Sequence, residues 1–179
     1  MNPSGVILDR DGVINVDSPH FIRSLDEWQP LPGSIDAIAR LSQAGFRVAI
    51  CTNQSGVGRG LFGEDVVHAI HGELQRQVEA AGGNIAGFFF CPHAPGAGCD
   101  CRKPKPGLLV QAGAALDLSL QGMPVIGDSL RDLEAGQRVG GQPILVRTGK
   151  GEATLADGVP AGTVICKDLA EAACYLLGP

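Results

Sequence analysis

With 179 residues, 44% of them hydrophobic and 4% aromatic, the chain has the size and apolar content of one globular domain over 1–179, with an aliphatic core. A net charge of −5 provides no overall attraction to nucleic acid or to anionic membranes, and no stretch approaches the ~20 apolar residues of a membrane span. The N-terminus lacks the basic-then-apolar layout of a signal peptide. A soluble, cytoplasmic protein is expected, and a monomer, since no exposed apolar helix face stands out.

Val6–Asp9 reads as a short buried strand ending in Asp9-Arg10-Asp11-Gly12. Ser34 is placed to cap a helix through Ile35, Ile38, Ala39 and Leu41, which Gly45 ends. Phe46–Thr52 is a continuous apolar run with β-branched members, a second buried strand. From Asp65 to Ala81, Val67, Ile70, Leu74 and Val78 recur at helical spacing, with His68 and His71 on the polar face, where they read as solvated. Ile85–Cys91 is a third strand and Gly107–Leu118 a helix. Pro124–Gly127 is a fourth strand, followed by a helix near Leu130–Val139. Pro143–Val146 and Thr163–Cys166 are two more strands, and Leu169 to Leu177 mark a closing helix.

Strands alternate with helices throughout, and the strands are apolar rather than alternating, as when both faces are covered. That pattern predicts an α/β fold, doubly wound, with a mostly parallel sheet and helices on both faces. Ligands of such sheets bind beyond the carboxyl ends of the strands. The polar residues after each strand should therefore meet: Asp9 and Asp11; Thr52, Asn53, Gln54 and Ser55; Arg102 and Lys103; Asp128, Ser129 and Asp132. Such a set suits a phosphate and a divalent cation.

Phosphomonoesters hydrolyse so slowly unaided that one carboxylate cannot suffice. Asp9 is the candidate nucleophile, forming an aspartyl-phosphate. Mg²⁺ would bridge carboxylate and phosphate, with Asp9 and Asp128 as hard oxygen ligands. Asp11 is the candidate general acid and base. Lys103 would neutralise phosphoryl charge, and Thr52 or Asn53 would donate to its oxygens. Asp132 either pairs with Lys103 or is a surface acid. The same acids are common in ordinary turns, so a non-catalytic binding module is the reading of another class.

LDRDGVIN, CTNQSG, RKPKPG and VIGDSLRDLEAG, in this order on these strands, resemble the four motifs of the haloacid-dehalogenase-like (HAD) phosphatases. The likeness spans roughly residues 6–136. Within that superfamily, DRDGVIN, TNQSG, CPH, CDCRKP and GDSLRDL are similar to the subgroup of heptose-bisphosphate phosphatases and histidinol phosphatases. The resemblance implies nucleophile Asp9, acid/base Asp11, and magnesium held by Asp9, the Asp11 carbonyl and Asp128. It also implies phosphate contacts from Thr52, Asn53 and Lys103, with substrate recognition by Arg102 and a sugar side lined by Asp17, Ser18, Pro19 and His20. Gln54 and Ser55 are further substrate-side candidates. The implied substrate is a small phosphorylated sugar, with histidinol phosphate or another small monoester as the alternative. Many members carry Lys where this chain has Ser129. The gaps after the first and third strands are too short for a cap domain.

Cys91-x-His93 and Cys99-x-Cys101 offer three thiolates and an imidazole, a set suited to tetrahedral Zn²⁺; a reduced or redox cluster is the alternative. Ordering about eleven residues costs on the order of 11–22 kcal/mol in backbone entropy, against roughly 10–16 kcal/mol from a structural zinc. The loop at 91–101 is therefore expected to be fixed by metal. Cys51, Cys166 and Cys174 read as buried small hydrophobes. Lys105 and Arg131 read as solvated. Ser55–Gly60 has Gly-x-Gly-x-Gly spacing, which is not the dinucleotide fingerprint.

Overall fold

The computed structural model describes residues 5–178, so residues 1–4 and 179 of the expected domain lie outside the described residues. In chain order the elements are β1 (Gly5–Leu8), a 3₁₀ turn (Leu25–Glu27), α1 (Ser34–Gln43), β2 (Arg47–Asn53), α2 (Ser55–Gly58), α3 (Glu64–Ala80), β3 (Gly87–Cys91), α4 (Gly107–Ala115), β4 (Pro124–Gly127), α5 (Leu130–Arg138), β5 (Gln142–Val146), α6 (Gly151–Asp157), β6 (Val164–Cys166) and α7 (Leu169–Leu177). The six strands form one sheet in the order β3-β2-β1-β4-β5-β6, and every neighbouring pair is parallel. No cap is inserted: only residues 9–33 separate β1 from α1, and only 92–106 separate β3 from α4.

Successive residues of a strand face opposite sides, and here each side has its own core. Val6, Leu8, Val48 and Ile50 pack with Ile38, Leu41, Ile70, Leu74, Val78 and Leu169 under α1, α3 and α7. Ile7, Ala49 and Cys51 pack with Leu108, Leu109, Ala112 and Ala135 under α4 and α5. With both faces covered, no alternation of apolar and polar residues survives in β1, β2 or β4.

Three local expectations are corrected. Ser34 is the first helical residue rather than the cap, which is Gly33; its hydroxyl instead donates to the carbonyls of Ile14 (2.7 Å) and Leu31 (2.9 Å). Cys174 is exposed, unlike Cys51 and Cys166, because it lies on the outer side of α7, where Arg40 reaches it at 3.6 Å. The short helices α2 and α6 had no apolar periodicity to reveal them.

Candidate active site

The strand order reverses between β1 and β4, the switch point at which open α/β sheets bind ligands. In register, Leu8 stands beside both Ile50 and Ile126, and the Asp9 amide donates to the Ile126 carbonyl at 2.9 Å. Past the end of β1, Asp9 is thereby level with Cys51 of β2 and Gly127 of β4, one residue before Thr52 and Asp128. Around them lies a cavity of about 250 Å³ lined by Asp9, Asp11, Asp17, Ser18, Pro19, Thr52, Asn53, Gln54, Ser55, Arg102, Lys103 and Asp128, together with Phe21, Ile22, Arg59, Arg131, Asp132 and Lys150.

Lys103 is the hub of the cavity floor. It is 3% exposed, and its ammonium contacts Asp9 Oδ1 at 2.9 Å, the Cys51 carbonyl at 2.6 Å and Asp132 Oδ1 at 2.7 Å. Burial alone would lower its proton affinity, but Asp132 and Asp9 outweigh that and raise it. The open question about Asp132 is settled: it is a buried partner of Lys103, not a surface acid. Ser129 stands at the N-cap of α5, where its hydroxyl donates to Asp132 Oδ2 at 2.7 Å and its amide to the same oxygen at 3.1 Å. Ser129 thus anchors the hub instead of reaching substrate.

Asp11 is held at both oxygens. Arg10 and Asn15 donate to Oδ1 at 2.9 and 3.0 Å, and Gln54 donates to Oδ2 at 3.0 Å. Burial pushes its pKa up, but Arg10, then Asn15 and Gln54, more than reverse this and hold the carboxyl below its ordinary range. Gln54 also donates to Thr52 Oγ1 at 2.9 Å, which aligns the hydroxyl of a residue 1% exposed.

Two expected contacts are redirected. Asn53 lines the cavity, but its amide is engaged in a reciprocal pair with the Lys103 backbone, at 3.1 Å in each direction; its side chain positions Lys103 rather than facing a phosphate. His20 does not line the cavity: it is exposed and lines a separate surface depression with Arg23 and Glu27. The chain turns at Phe21, which has a φ of 67°, and this brings Phe21 and Ile22 to the cavity wall in its place.

Three further cavity residues, Arg59, Arg131 and Lys150, were not placed in the site by the sequence. Arg59 closes the glycine stretch after β2 and lies 5.8 Å over the Phe21 ring. Arg131 is half-buried in the wall, correcting its reading as solvated. Lys150 follows β5, a strand end that went unused in the sequence reading; its ammonium is 3.4 Å from Asp17, and its amide donates to Asp128 Oδ2 at 2.8 Å. Arg102 has its proton affinity lowered by burial and then by Arg131 and Arg59, and all three guanidinium residues line the same cavity.

His71 is also corrected. It is 4% exposed, stacks on Phe88 at 4.6 Å between centroids and lies 3.4 Å from Arg10 through Nε2. Burial, and then Arg10, press its pKa down to about 3.

The donor set fits a hard divalent cation. Asp9, Asp128 and Asp132 each offer an oxygen within a cluster spanning 4.8 Å. Lys103 and Ser129 occupy Asp132, which leaves Asp9 and Asp128 for a metal. Burial, and then Asp132, lift the Asp9 pKa to about 6; burial, and then Asp9, lift Asp128 to about 8. Carboxyls raised in this way mark missing positive charge. Gly12, with φ of 84°, faces Asp128 so closely that any Cβ would collide with its Oδ2.

A pH dependence follows. With folded pKa values raised above the unfolded 3.8, the stabilisation from these two groups is fully present below about pH 4 and is lost as pH rises through about 6 and 8. A cation that binds the ionised pair reverses that loss. The rise in melting temperature on adding Mg²⁺ is therefore expected to be larger at pH 8 than at pH 6, and to vanish in Asp128→Asn. Equal shifts at both pH values, measured by thermal melts, would remove this pair from the metal site.

The cysteine loop holds a second donor set. Cys91 Sγ lies 3.4 Å from His93 Nδ1 and 3.7 Å from Cys99 Sγ, and His93 Nδ1 lies 3.3 Å from Cys101 Sγ. A tetrahedron with Zn–S bonds of ~2.3 Å has S···S edges of about 3.8 Å, so the four donors fit zinc with little movement. Arg102 and Lys103 follow Cys101 directly, so fixing this loop also fixes the cavity's hub.

Comparison with known proteins agrees with this geometry. Residues 100–172 match the HAD-hydrolase-like family. The D-glycero-beta-D-manno-heptose-1,7-bisphosphate 7-phosphatase of Pseudomonas aeruginosa is 53% identical over 177 residues, covering 99% of each chain. Its counterpart in Bordetella bronchiseptica is 51% identical, covering 96% of this chain and 97% of the relative. The crystal structure of the B. bronchiseptica phosphatase complexed with magnesium and phosphate superposes with a TM-score of 0.93 over 96% of this chain and 97% of that one. The Burkholderia thailandensis enzyme, 43% identical, gives 0.77 over 97% and 98%. On sequence, fold and site together, this chain belongs to the heptose-1,7-bisphosphate 7-phosphatase family of HAD-like hydrolases.

Proposed function

We propose that the chain is a Mg²⁺-dependent phosphatase that removes the 7-phosphate of D-glycero-D-manno-heptose 1,7-bisphosphate, on the route to heptose precursors of lipopolysaccharide or surface glycans. The observation that carries the substrate choice is the gathering of Arg59, Arg102 and Arg131 in the same cavity as the Asp9–Lys103 hub. Those guanidiniums supply charge for a second phosphate beyond the one being cleaved. Histidinol phosphate has one phosphate and a cationic end, and would meet these arginines with like charge.

Asp9 attacks phosphorus through the oxygen that Lys103 leaves free. The P–Asp9 bond forms as the bond to the sugar oxygen breaks, and Asp11 gives that oxygen its proton. Asp11 is ionised at rest; the arriving phosphate dianion adds negative charge beside it and raises its proton affinity, so that it takes up a proton from solvent water before passing it to the leaving oxygen. Asp11 then takes a proton from water, the hydroxide attacks phosphorus, and phosphate leaves as the P–Asp9 bond breaks. Lys103 and Thr52 counter the charge on the phosphoryl oxygens. Mg²⁺, bound by Asp9, the Asp11 carbonyl and Asp128, supplies positive charge between carboxylate and phosphate. Zn²⁺ held by Cys91, His93, Cys99 and Cys101 would have a structural role, since four protein ligands would leave no open position.

The remaining parts of the reading are a single domain over 1–179, a monomer and a cytoplasmic location without nucleic-acid or membrane partners. In support, no helix among the described residues is long and apolar enough to cross a membrane, and the net charge is −5. The test is phosphate release with Mg²⁺ from heptose bisphosphate and from histidinol phosphate. A preference in kcat/KM of at least about 100-fold for the bisphosphate is expected from losing charged contacts to one phosphate. Equal or better turnover of histidinol phosphate would overturn the substrate assignment.

A further inference from the structure

Arg10 is unusual among the charged residues: it is completely buried, and its one carboxylate partner is the neighbouring Asp11, reached by Nε and NH2 at 2.9 Å each. The third nitrogen, NH1, points away from the cavity to His71 Nε2 at 3.4 Å. A guanidinium only donates, so Nε2 must present its lone pair and the ring proton must sit on Nδ1. The ring is held in that attitude by Phe88, stacked at 4.6 Å and 17° between planes, with Phe90 edge-on at 6.1 Å. The result is a chain of contacts, Phe88 to His71 to Arg10 to Asp11, running from β3 and α3 to the cavity.

We propose that His71 is a positioning residue for the reaction: it anchors the far end of the Arg10 guanidinium, which in turn fixes the orientation of the Asp11 carboxylate toward the substrate. The inference rests on Asp11 carrying the proton, as assigned above. Among the described residues, Asp11 is otherwise restrained by Asn15 and Gln54 alone. A guanidinium without an acceptor behind it can tilt, and a misplacement of the order of 1 Å at a reacting group lowers rates by up to ~100-fold. His71 touches no cavity atom, so its effect should fall on turnover and not on substrate binding.

Three variants of the full chain, assayed for Mg²⁺-dependent phosphate release, test this. His71→Phe keeps a ring to stack on Phe88 but removes the acceptor; kcat should fall about tenfold, the scale of one hydrogen bond to a charged group, with KM within about twofold. His71→Gln restores an acceptor and should recover kcat to within about threefold of the natural protein. Phe88→Leu disturbs the stack but leaves the acceptor and should change kcat less than threefold. Thermal melts report folding, and His71→Leu replaces His71→Phe if the latter does not fold. Unchanged kcat in the acceptor-free variant, no rescue by Gln, a change confined to KM, or an equal loss in Phe88→Leu would each overturn the proposal. Asp11→Asn separates the two levels. Full turnover in that variant would remove the proton-carrier role itself. An inactive Asp11→Asn beside an unimpaired His71→Phe would remove the positioning role alone.

Discussion

Asp9→Asn is expected to abolish phosphate release, by on the order of 10⁴-fold or more in kcat, while leaving the protein folded. The amide is a far weaker nucleophile than the carboxylate and cannot form the acyl-phosphate, and losing a covalent-catalysis residue typically costs this much. Folding survives because the amide oxygen can still accept from the Lys103 ammonium, now 2.9 Å from Asp9 Oδ1. The substitution also removes one of the like charges that raise Asp128, so it relieves repulsion in the metal-free protein. The paired measurement is steady-state phosphate release and a thermal melt. Turnover within tenfold of the natural protein, with an intact melt, would sink the nucleophile assignment.

Lys103→Met is expected to damage fold and activity together. The ammonium joins Asp9, Asp132 and the Cys51 carbonyl inside a region where Lys103 is 3% and Asp132 1% exposed. Removing one partner of a buried ion pair costs about 3–5 kcal/mol, because the remaining charge stays buried without compensation. The orphaned carboxylates can escape by taking protons, so the destabilisation should be larger at pH 8 than at pH 5. Denaturant unfolding at the two values measures this, and kcat should fall at least about 100-fold from lost charge stabilisation. A stability loss under 1 kcal/mol at pH 8 would show that the triad is not the structural hub described above.

Much of the architecture was legible because a sheet covered on both faces writes its strands as unbroken apolar runs. Val48–Cys51 and Val125–Ile126 needed no tertiary knowledge to be placed. The convergence of Asp9, Thr52, Lys103 and Asp128 followed from the rule for strand ends, and the cysteine spacing announced its own metal set. What stayed hidden depends on rotation and partners. Whether Arg131 enters the cavity is set by the phase of the first turn of α5, which a residue's type does not reveal. His71 sits beside Ile70 on the flank of the apolar stripe of α3, and its burial is explained by distant partners, Arg10, 61 positions away, and the Phe88 ring. Asn53 was correctly placed at a strand end, but its partner turned out to be the Lys103 backbone. His20 was misplaced by the left-handed turn at Phe21, a conformation that sequence gives little warning of at a non-glycine residue.

The pairing of β1 with β4 spans two register pairs, Ile7 with Val125 and Leu8 with Ile126, whereas β1–β2 and β4–β5 span four each. The shortest of these central ladders is therefore the seam across which the chain brings Asp9 to Asp128. Whatever binds both carboxylates stitches the two halves of the sheet where their own backbone holds them least. Catalysis and cohesion then share one location, and loading the site should slow the opening of the seam as well as enable chemistry. A protein so arranged is sturdiest while it is working and easiest to pull apart at rest.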